Sequence, residues 1–285
     1  MTFLEFARSY EVEIIDLRCD GKIHRCPTTG HPGKRNGAFF FDGQHGWVMN
    51  WETGENLIWW NDPEAKPYTE TEKREWMSRR RAAEVEKQQK YAQAAHQAAE
   101  ILSGATMATH PYLAGKGFKD HKALVDDGDG ALLIPMRDCM SNDLLGLQRI
   151  RLFCNEWEKK FLYGARTKGA IFRIGAQNAT ETILAEGFAT SLSIAAAVRL
   201  LHIPTAVVAC FSANNIIHVA GRMKGKRFVF ADHDANMVGE KAAQATGLPY
   251  CMSDKTGNDA NDDHMQFGLL SVASKIMQMR RFEKS

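Results

Sequence analysis

Residues 182–236 read TILAEGFATSLSIAAAVRLLHIPTAVVACFSANNIIHVAGRMKGKRFVFADHDAN. Three runs in this stretch, TILAEG, TAVVAC and RFVFAD, are apolar at nearly every position instead of every second one, as in strands buried on both faces. Between them, FATSLSIAAAVRLL and NNIIHVAGRM have the length and composition of helices. The alternation continues downstream. ANMVGEKAAQATG reads as a helix closed by a C-terminal glycine, LPYCM as a fourth strand, and Asp262 to about Arg280 as a helical tail. Apolar strands alternating with helices predict an α/β fold whose parallel sheet is covered on both faces.

Such sheets bind ligands beyond the carboxyl ends of their strands. Glu186 ends the first strand, and Gly187 lets the backbone turn into the next helix. Asp232 ends the third, with Asp234 two residues on. Asp259-Ala260-Asn261-Asp262 follows the fourth at the same edge. An acid after a strand is commonly a helix cap, and Asp234 alone would read that way. Three acid sets at one edge instead predict a pocket for a hard cation, Mg²⁺ or Mn²⁺, which keeps several waters and takes phosphates as ligands.

Upstream, the window from Asp143 to Gly175 holds seven bases and three acids, whereas Asp254 to His264 holds four aspartates against Lys255. A basic tract near an acidic cluster suits a polyanion carried to a metal site. Arg149, Lys159, Lys160, Arg166 and Lys168 are the candidate contacts, with Gln148 a polar candidate in the same groove; each also reads as a surface charge or, for Gln148, strand filler. The runs ALLIPMRD, LLGLQRIRLF and EKKFLYGARTKGAIFRIG predict antiparallel strands with a basic face, within a basic α+β subdomain over 105–179. The acid-edged α/β domain occupies 180–285.

Residues 66–104 are expected to form a helical connector. Thr69 with Glu72 makes a capping box, and about 1.5 Å per residue makes the helix roughly 50 Å long. Residues 1–65, with Asp42-Gly43 between aromatic runs, predict a small β-rich module. Four of the six tryptophans fall there (Trp47, Trp51, Trp59, Trp60), as core or as base-stacking surface. Cys19, His24, Cys26 and His31 have the elements of a zinc site, but C-x4-H-x-C-x4-H is no common finger spacing, and zinc is not expected.

A charged fraction of 25% and 44% hydrophobic residues over 285 positions exclude a disordered chain. No run approaches the ~20 apolar residues of a membrane helix. The opening MTFLEFARSYEVEIIDLR lacks the basic region and apolar run of a signal peptide, so a cytoplasmic protein without a membrane role is expected.

Glu186-Gly187-Phe188-Ala189-Thr190, Ala231-Asp232-His233-Asp234 and Asp259-Ala260-Asn261-Asp262 resemble the three motifs of the Toprim domain, shared by bacterial-type primases, type IA and II topoisomerases and some nucleases. His110-Pro111-Tyr112-Leu113 with Lys116-Gly117, Leu133-Ile134-Pro135, Leu147-Gln148-Arg149-Ile150 and Lys159-Lys160-Phe161-Leu162 resemble the basic half of a DnaG-like primase catalytic core. Asp20-Gly21-Lys22-Ile23-His24-Arg25 and Trp51-x-Thr-Gly resemble the N-terminal region of phage, plasmid and mobile-element primases.

The resemblance implies an α/β Toprim domain, a Rossmann-like parallel sheet with flanking helices, and synthesis of short RNA primers on single-stranded DNA. A primer 3′-hydroxyl would attack the α-phosphate of a ribonucleoside triphosphate. Asp232 and Asp234 would hold Mg²⁺ or Mn²⁺, Glu186 would bind metal or serve as acid or base, and Asp259 and Asp262 would hold a further ion. Departures are the Thr190 in place of an acid, the unmatched zinc domain and the missing Walker A motif, so any replicative helicase would be a separate protein in the host cytoplasm. A Toprim nuclease and a non-catalytic nucleic-acid-binding protein with a decayed site are the alternatives.

Overall fold

The computed structural model describes residues 1–53, 57–65 and 68–282, so Gly54 of the Trp51 motif and the last three residues of the basic tail lie outside the described residues. The chain divides into two compact units, Met1–Arg80 and Arg81 onward.

The first unit has helix α1 (Phe3–Ser9) and the antiparallel sheet β1 (His24–Cys26), β2 (Gly37–Phe41), β3 (His45–Asn50) and β4 (Ile58–Asn61), in that order. Helix α1 was not expected from the aromatic-rich composition. It starts at a capping box between Thr2 and Glu5 and packs Phe3 and Phe6 against Phe39, Phe41, Val48 and Trp60. At the Asp42-Gly43 turn, Asp42 Oδ1 accepts the amides of Gln44 at 2.9 Å and His45 at 2.7 Å. Period-two alternation divides the tryptophans: Trp60 joins the core under α1, while Trp47 and Trp59 pair across strands on the opposite face.

Helix α2 (Glu70–Ser103) begins where the capping box predicts: Thr69 N donates to Glu72 Oε2 at 2.8 Å, and Glu72 N to Thr69 Oγ1 at 3.3 Å. Its buried residues are Ala94 and Ala98. Ala98 packs with Ala131, Leu133 and Leu147 of the second unit's sheet, where a small side chain allows close approach.

That sheet has ten strands. Its antiparallel part comprises β5 (Ala105–Thr109), β6 (Lys122–Asp126), β7 (Leu132–Asp138), β8 (Leu144–Phe153), β9 (Glu156–Phe161) and β10 (Ala170–Ile174), with helix α3 (Pro111–Gly115) after β5. The remaining elements alternate: β11 (Glu181–Ala185), α4 (Phe188–Leu200), β12 (Thr205–Ala209), α5 (Ala213–Arg222), β13 (Lys226–Ala231), α6 (Val238–Thr246), β14 (Tyr250–Met252), α7 (Ala260–Phe267) and α8 (Leu269–Phe282). The order is β14-β13-β11-β12-β10-β7-β6-β5, with β8 and β9 continuing from β7. Strands β11 to β14 pair in parallel, and β10 joins them to the antiparallel half by pairing with both β12 and β7. The tail is two helices, not one, because Gly268 at φ +83° breaks it.

Helices α4 and α8 cover one face over Ile183, Val207 and Phe228. Helices α5 and α6 supply Ile216, Val219 and Ala243 to the other, over Leu184, Val208 and Val229. The chain leaving β11 therefore turns toward one face and the chain leaving its neighbour β13 toward the other. Their divergence opens a crevice at the carboxyl ends of those two strands. Among the described residues no helix is long and apolar enough to cross a membrane.

Candidate active site

Glu186 and Asp232 are the first residues beyond β11 and β13, so the two walls of the crevice each contribute a carboxylate. Asp232 Oδ1 is buried with no hydrogen-bond partner. Burial, and then the fields of Asp259, Glu186, Asp234 and Asp262, push the Asp232 carboxyl up to about 8. Glu186 is raised as well, by burial first and then by Asp234, while the Ala213 amide and Lys159 pull the other way. Asp234 is exposed at the mouth. Asp232 thus feels the charge of all four other acids, and each raises its pKa.

Two further contacts hold this edge. His233 bridges to Ser253 O through Nδ1 at 2.9 Å, tying the end of β13 to the loop after β14. Gly239 of α6 lies against the Asp232 backbone: a methyl group there would sit 3.1 Å from both the Asp232 nitrogen and carbonyl carbon, and nearer still to the oxygen.

Asp259 and Asp262 have a structural role that the spacing alone did not reveal. Asp259 is the N-cap of α7, and the two form a reciprocal capping box. Asp259 Oδ1 accepts the amides of Asn261 at 2.6 Å and Asp262 at 2.9 Å, and its Oδ2 accepts Thr190 Oγ1 at 2.8 Å. Thr190 is thus a donor that fixes Asp259 across from α4. Replacing Thr190 by Val leaves Asp259 Oδ2 without that donor, and we expect a loss of roughly 1.5–3 kcal/mol, read as a fall in the thermal midpoint.

A divalent cation suits this arrangement because it supplies both a partner for the orphaned Asp232 oxygen and positive charge for a cluster of hard oxygen donors. Among the described residues, no three His, Cys, Asp or Glu side chains are grouped so as to hold a metal ion by themselves. Asp232 and Asp234 would therefore hold an ion that relies on water and substrate for its other ligands.

The bases do not form one face, a correction that follows from strand register. Gln148 pairs with Phe161, Arg149 with Lys160, and Ile150 with Lys159. Directly paired residues share a face and successive ones alternate. Gln148, Lys159 and Phe161 consequently lie on the face of Leu132, Ile134 and Tyr112, which packs toward Phe188 and Phe211. Arg149 and Lys160 lie on the other face, with Leu133 and Leu147.

Several bases are also already paired. Arg149 bonds Asp126 and Asp129, each at 2.8 Å, Lys160 pairs with Glu158 at 2.6 Å, and Arg166 pairs with Asp138. Lys168 is exposed, and its charge, like those of Arg222 and Arg166, is felt by His218. Gln148 is only 9% exposed.

Lys159 is the predicted base that reaches the crevice. Its charge lowers the pKa of Glu186, and its Nζ lies 5.6 Å from the centroid of the Tyr112 ring. Phe161, two residues on and 40% exposed, meets Phe211 edge-on at 5.9 Å. Phe211, at φ +67°, donates its amide to Glu186 O at 2.8 Å. The sequence alone does not mark Phe211 or Gly239, and it gives Phe161 only within the Lys159–Leu162 run, although the i, i+2 spacing of Lys159 and Phe161 on β9 puts them on one face.

The Cys/His set of the first unit is not gathered. His24 pairs with Asp20 and His31 with Glu52, each at 2.8 Å, Cys19 is exposed, and Cys26 is buried with its thiol pushed up to about 11.

No protein-family model and no curated protein sequence matches this chain. The solved structures that show some similarity to it include two. One is the bacteriophage T7 lagging-strand DNA polymerase interacting with primase domains of two gp4 subunits bound to an RNA/DNA hybrid and dTTP, with TM-score 0.40 and 15% identity, covering 61% of this chain and 91% of that one. The other is the DnaG catalytic core, with TM-score 0.39 and 14% identity, covering 69% of this chain and 72% of that one.

Proposed function

We propose that the chain is a Toprim-type DNA primase of a phage or mobile element, which joins ribonucleoside triphosphates into short primers on a single-stranded DNA template. The observation that carries this reading is the position of Glu186 and Asp232 at the carboxyl ends of the paired strands β11 and β13, with Lys159 near Glu186 and Phe161 against Phe211. Lys159 supplies positive charge for a triphosphate, and Phe161 offers an aromatic surface to a base. Glu186, with its carboxyl raised by burial, is placed to accept the proton of an attacking hydroxyl. Asp232 and Asp234 would hold Mg²⁺ or Mn²⁺, which when bound supplies charge stabilisation at the phosphates.

The test is product analysis on single-stranded DNA with labelled NTPs and Mn²⁺. Growing ladders support the primase. Shortened DNA with no ladder replaces it with a nuclease, and neither product points to a non-catalytic binding protein. Strand register adds a second expectation. Lys159→Ala should raise the KM for NTP by about 10-fold or more, the scale of one charge-assisted contact, whereas Lys160→Ala, on the opposite face, should change it less than twofold. Steady-state primer synthesis checks both.

A further inference from the structure

The large sheet carries a second polar hollow, on the face turned away from Lys159 and Phe161. Ile171 of β10 pairs directly with Arg137 of β7, and Arg173, two residues on, pairs with Val208 of β12. Paired residues and residues two apart share a face. Arg137, Ile171 and Arg173 therefore lie on the side of Val208, where α5 and α6 pack. Phe172, between the last two, points the opposite way and meets Phe188 edge-on at 5.2 Å. On the Arg173 side a cavity of about 230 Å³ is lined by the buried Pro135 and Ile171 and by Arg137, Asn142, Arg173 and Gln177. No acid lines it.

Arg173 is the anomaly in this arrangement. The other half-buried arginines among the described residues all have oxygen partners. Arg149 has Asp126 and Asp129, Arg166 has Asp138, Arg280 has Glu181, and Arg227 has the carbonyls of Ala220 and Met223. Arg173 makes no hydrogen bond or ion pair among the described residues. Burial lowers its pKa, and only the Cys139 thiol, not a carboxylate, acts the other way. Arginine nevertheless stays charged in a protein, and a charge withdrawn from water is costly unless it is paired. Arg137 is anchored by a bond from its Nη1 to Asn142 O at 3.0 Å.

We infer that this cavity binds a phosphate group, free or carried by a small molecule, between the guanidinium groups of Arg137 and Arg173, with Asn142 and Gln177 offering amide donors. Planar guanidinium forks match phosphate oxygens bidentately, and two of them balance the roughly −1.5 to −2 charge of a phosphate monoester at pH 7. The volume falls below the ~300–1,000 Å³ of sites for drug-sized ligands, which suits a small ion or the head of a small metabolite. None of these side chains belongs to the crevice, so the inference does not rest on the primase reading.

Thermal melts of the full chain in EDTA test it, titrated at constant ionic strength with inorganic phosphate, with glycerol 3-phosphate and with acetate. Phosphate should raise the melting midpoint saturably, and acetate should do so far less. A stronger response to glycerol 3-phosphate than to inorganic phosphate assigns the site to a phosphorylated metabolite, and the reverse assigns it to the free ion. Arg173→Met should weaken the apparent phosphate affinity by about 10-fold or more, the scale of one charge-assisted bond. It should also melt no lower than the wild type in phosphate-free buffer, because an unpaired charge is gone. Arg137→Gln, at an exposed position, should lose affinity similarly, whereas Lys159→Ala should keep the full response.

An unsaturable rise shared by all variants is a general salt effect and overturns the inference, as does a wild type indifferent to phosphate. A response lost in Lys159→Ala and kept in the two arginine variants moves the phosphate to the crevice and overturns it too. Failure to make primers, with these melting results intact, removes the primase reading alone.

Discussion

Asp232→Asn should abolish primer synthesis, by at least about 10³-fold, the scale on which removing a preorganised electrostatic group slows an enzyme, and yet stabilise the ion-free chain. Both effects come from one feature: the carboxyl is buried among four other acids, with one oxygen unpartnered. Its folded pKa of about 8 lies above the unfolded value, so between roughly pH 4 and pH 8 the folded chain holds a proton that the unfolded chain has lost. The Asp232 contribution is therefore intact below about pH 4 and declines as pH rises through that window. The slope has a ceiling of about 1.4 kcal/mol per pH unit. Relaxation and the partial exposure of Asp232 lower the effect, and Asn should gain roughly 2 kcal/mol at pH 8 without divalent ions.

Mn²⁺ should reverse the ranking. The wild type should gain about 2.7 kcal/mol at a hundred times Kd, and the Asn variant should gain little. Apparent ion affinity should rise with pH up to about 8, as the competing proton leaves. Thermal melts at pH 6 and pH 8, with and without Mn²⁺, check all of this. A variant that still extends primers, or a wild type indifferent to Mn²⁺, would remove Asp232 from the site.

What the residue order made legible was what depends on local pattern. Unbroken apolar strands such as Thr205–Ala209, helices between them, and acids one residue past the strands all follow from burial on both faces of a parallel sheet. The Thr69–Glu72 box located the start of α2 because capping is local. The failures involve long-range pairing. Whether Arg149 meets solvent or Asp126 and Asp129 depends on β6 lying beside β7, some twenty residues away, and a charge count cannot see that. The separation of Lys159 from Lys160 depends on the register of β8 against β9. The second role of Asp259, as a cap held by Thr190, appears only once α4 and α7 are adjacent. Helix α1 is not legible in the sequence because seven residues with three buried side chains carry too little period to stand out among aromatic strands.

Gly239→Ala tests how tightly that edge is positioned, and it should be among the most damaging single-methyl changes in the second unit. Helix propensity argues the other way, since alanine is favoured over glycine by about 1 kcal/mol inside a helix. Gly221 in α5, where an added methyl group meets nothing within 4 Å, should show that preference plainly and gain up to about 1 kcal/mol. At Gly239 the same methyl group meets backbone, the Asp232 nitrogen and carbonyl carbon at 3.1 Å and the oxygen closer still. Backbone cannot rotate away as a side chain can, so either α6 lifts from β13 or the end of β13 moves. Overpacking of this kind costs about 1–3 kcal/mol, which outweighs the propensity gain. A helix that stays packed forces the end of β13 to move, which carries Asp232 away from Glu186, and a displacement near 1 Å is worth about 10²-fold in rate. Gly239→Ala should therefore melt lower than the wild type, lose about 10²-fold in primer synthesis, and show a weaker Mn²⁺-induced rise in its melting midpoint, while Gly221→Ala melts higher and keeps its response to Mn²⁺. If the two variants behaved alike, the close approach of α6 to Asp232 would not be what holds the carboxylate in the crevice.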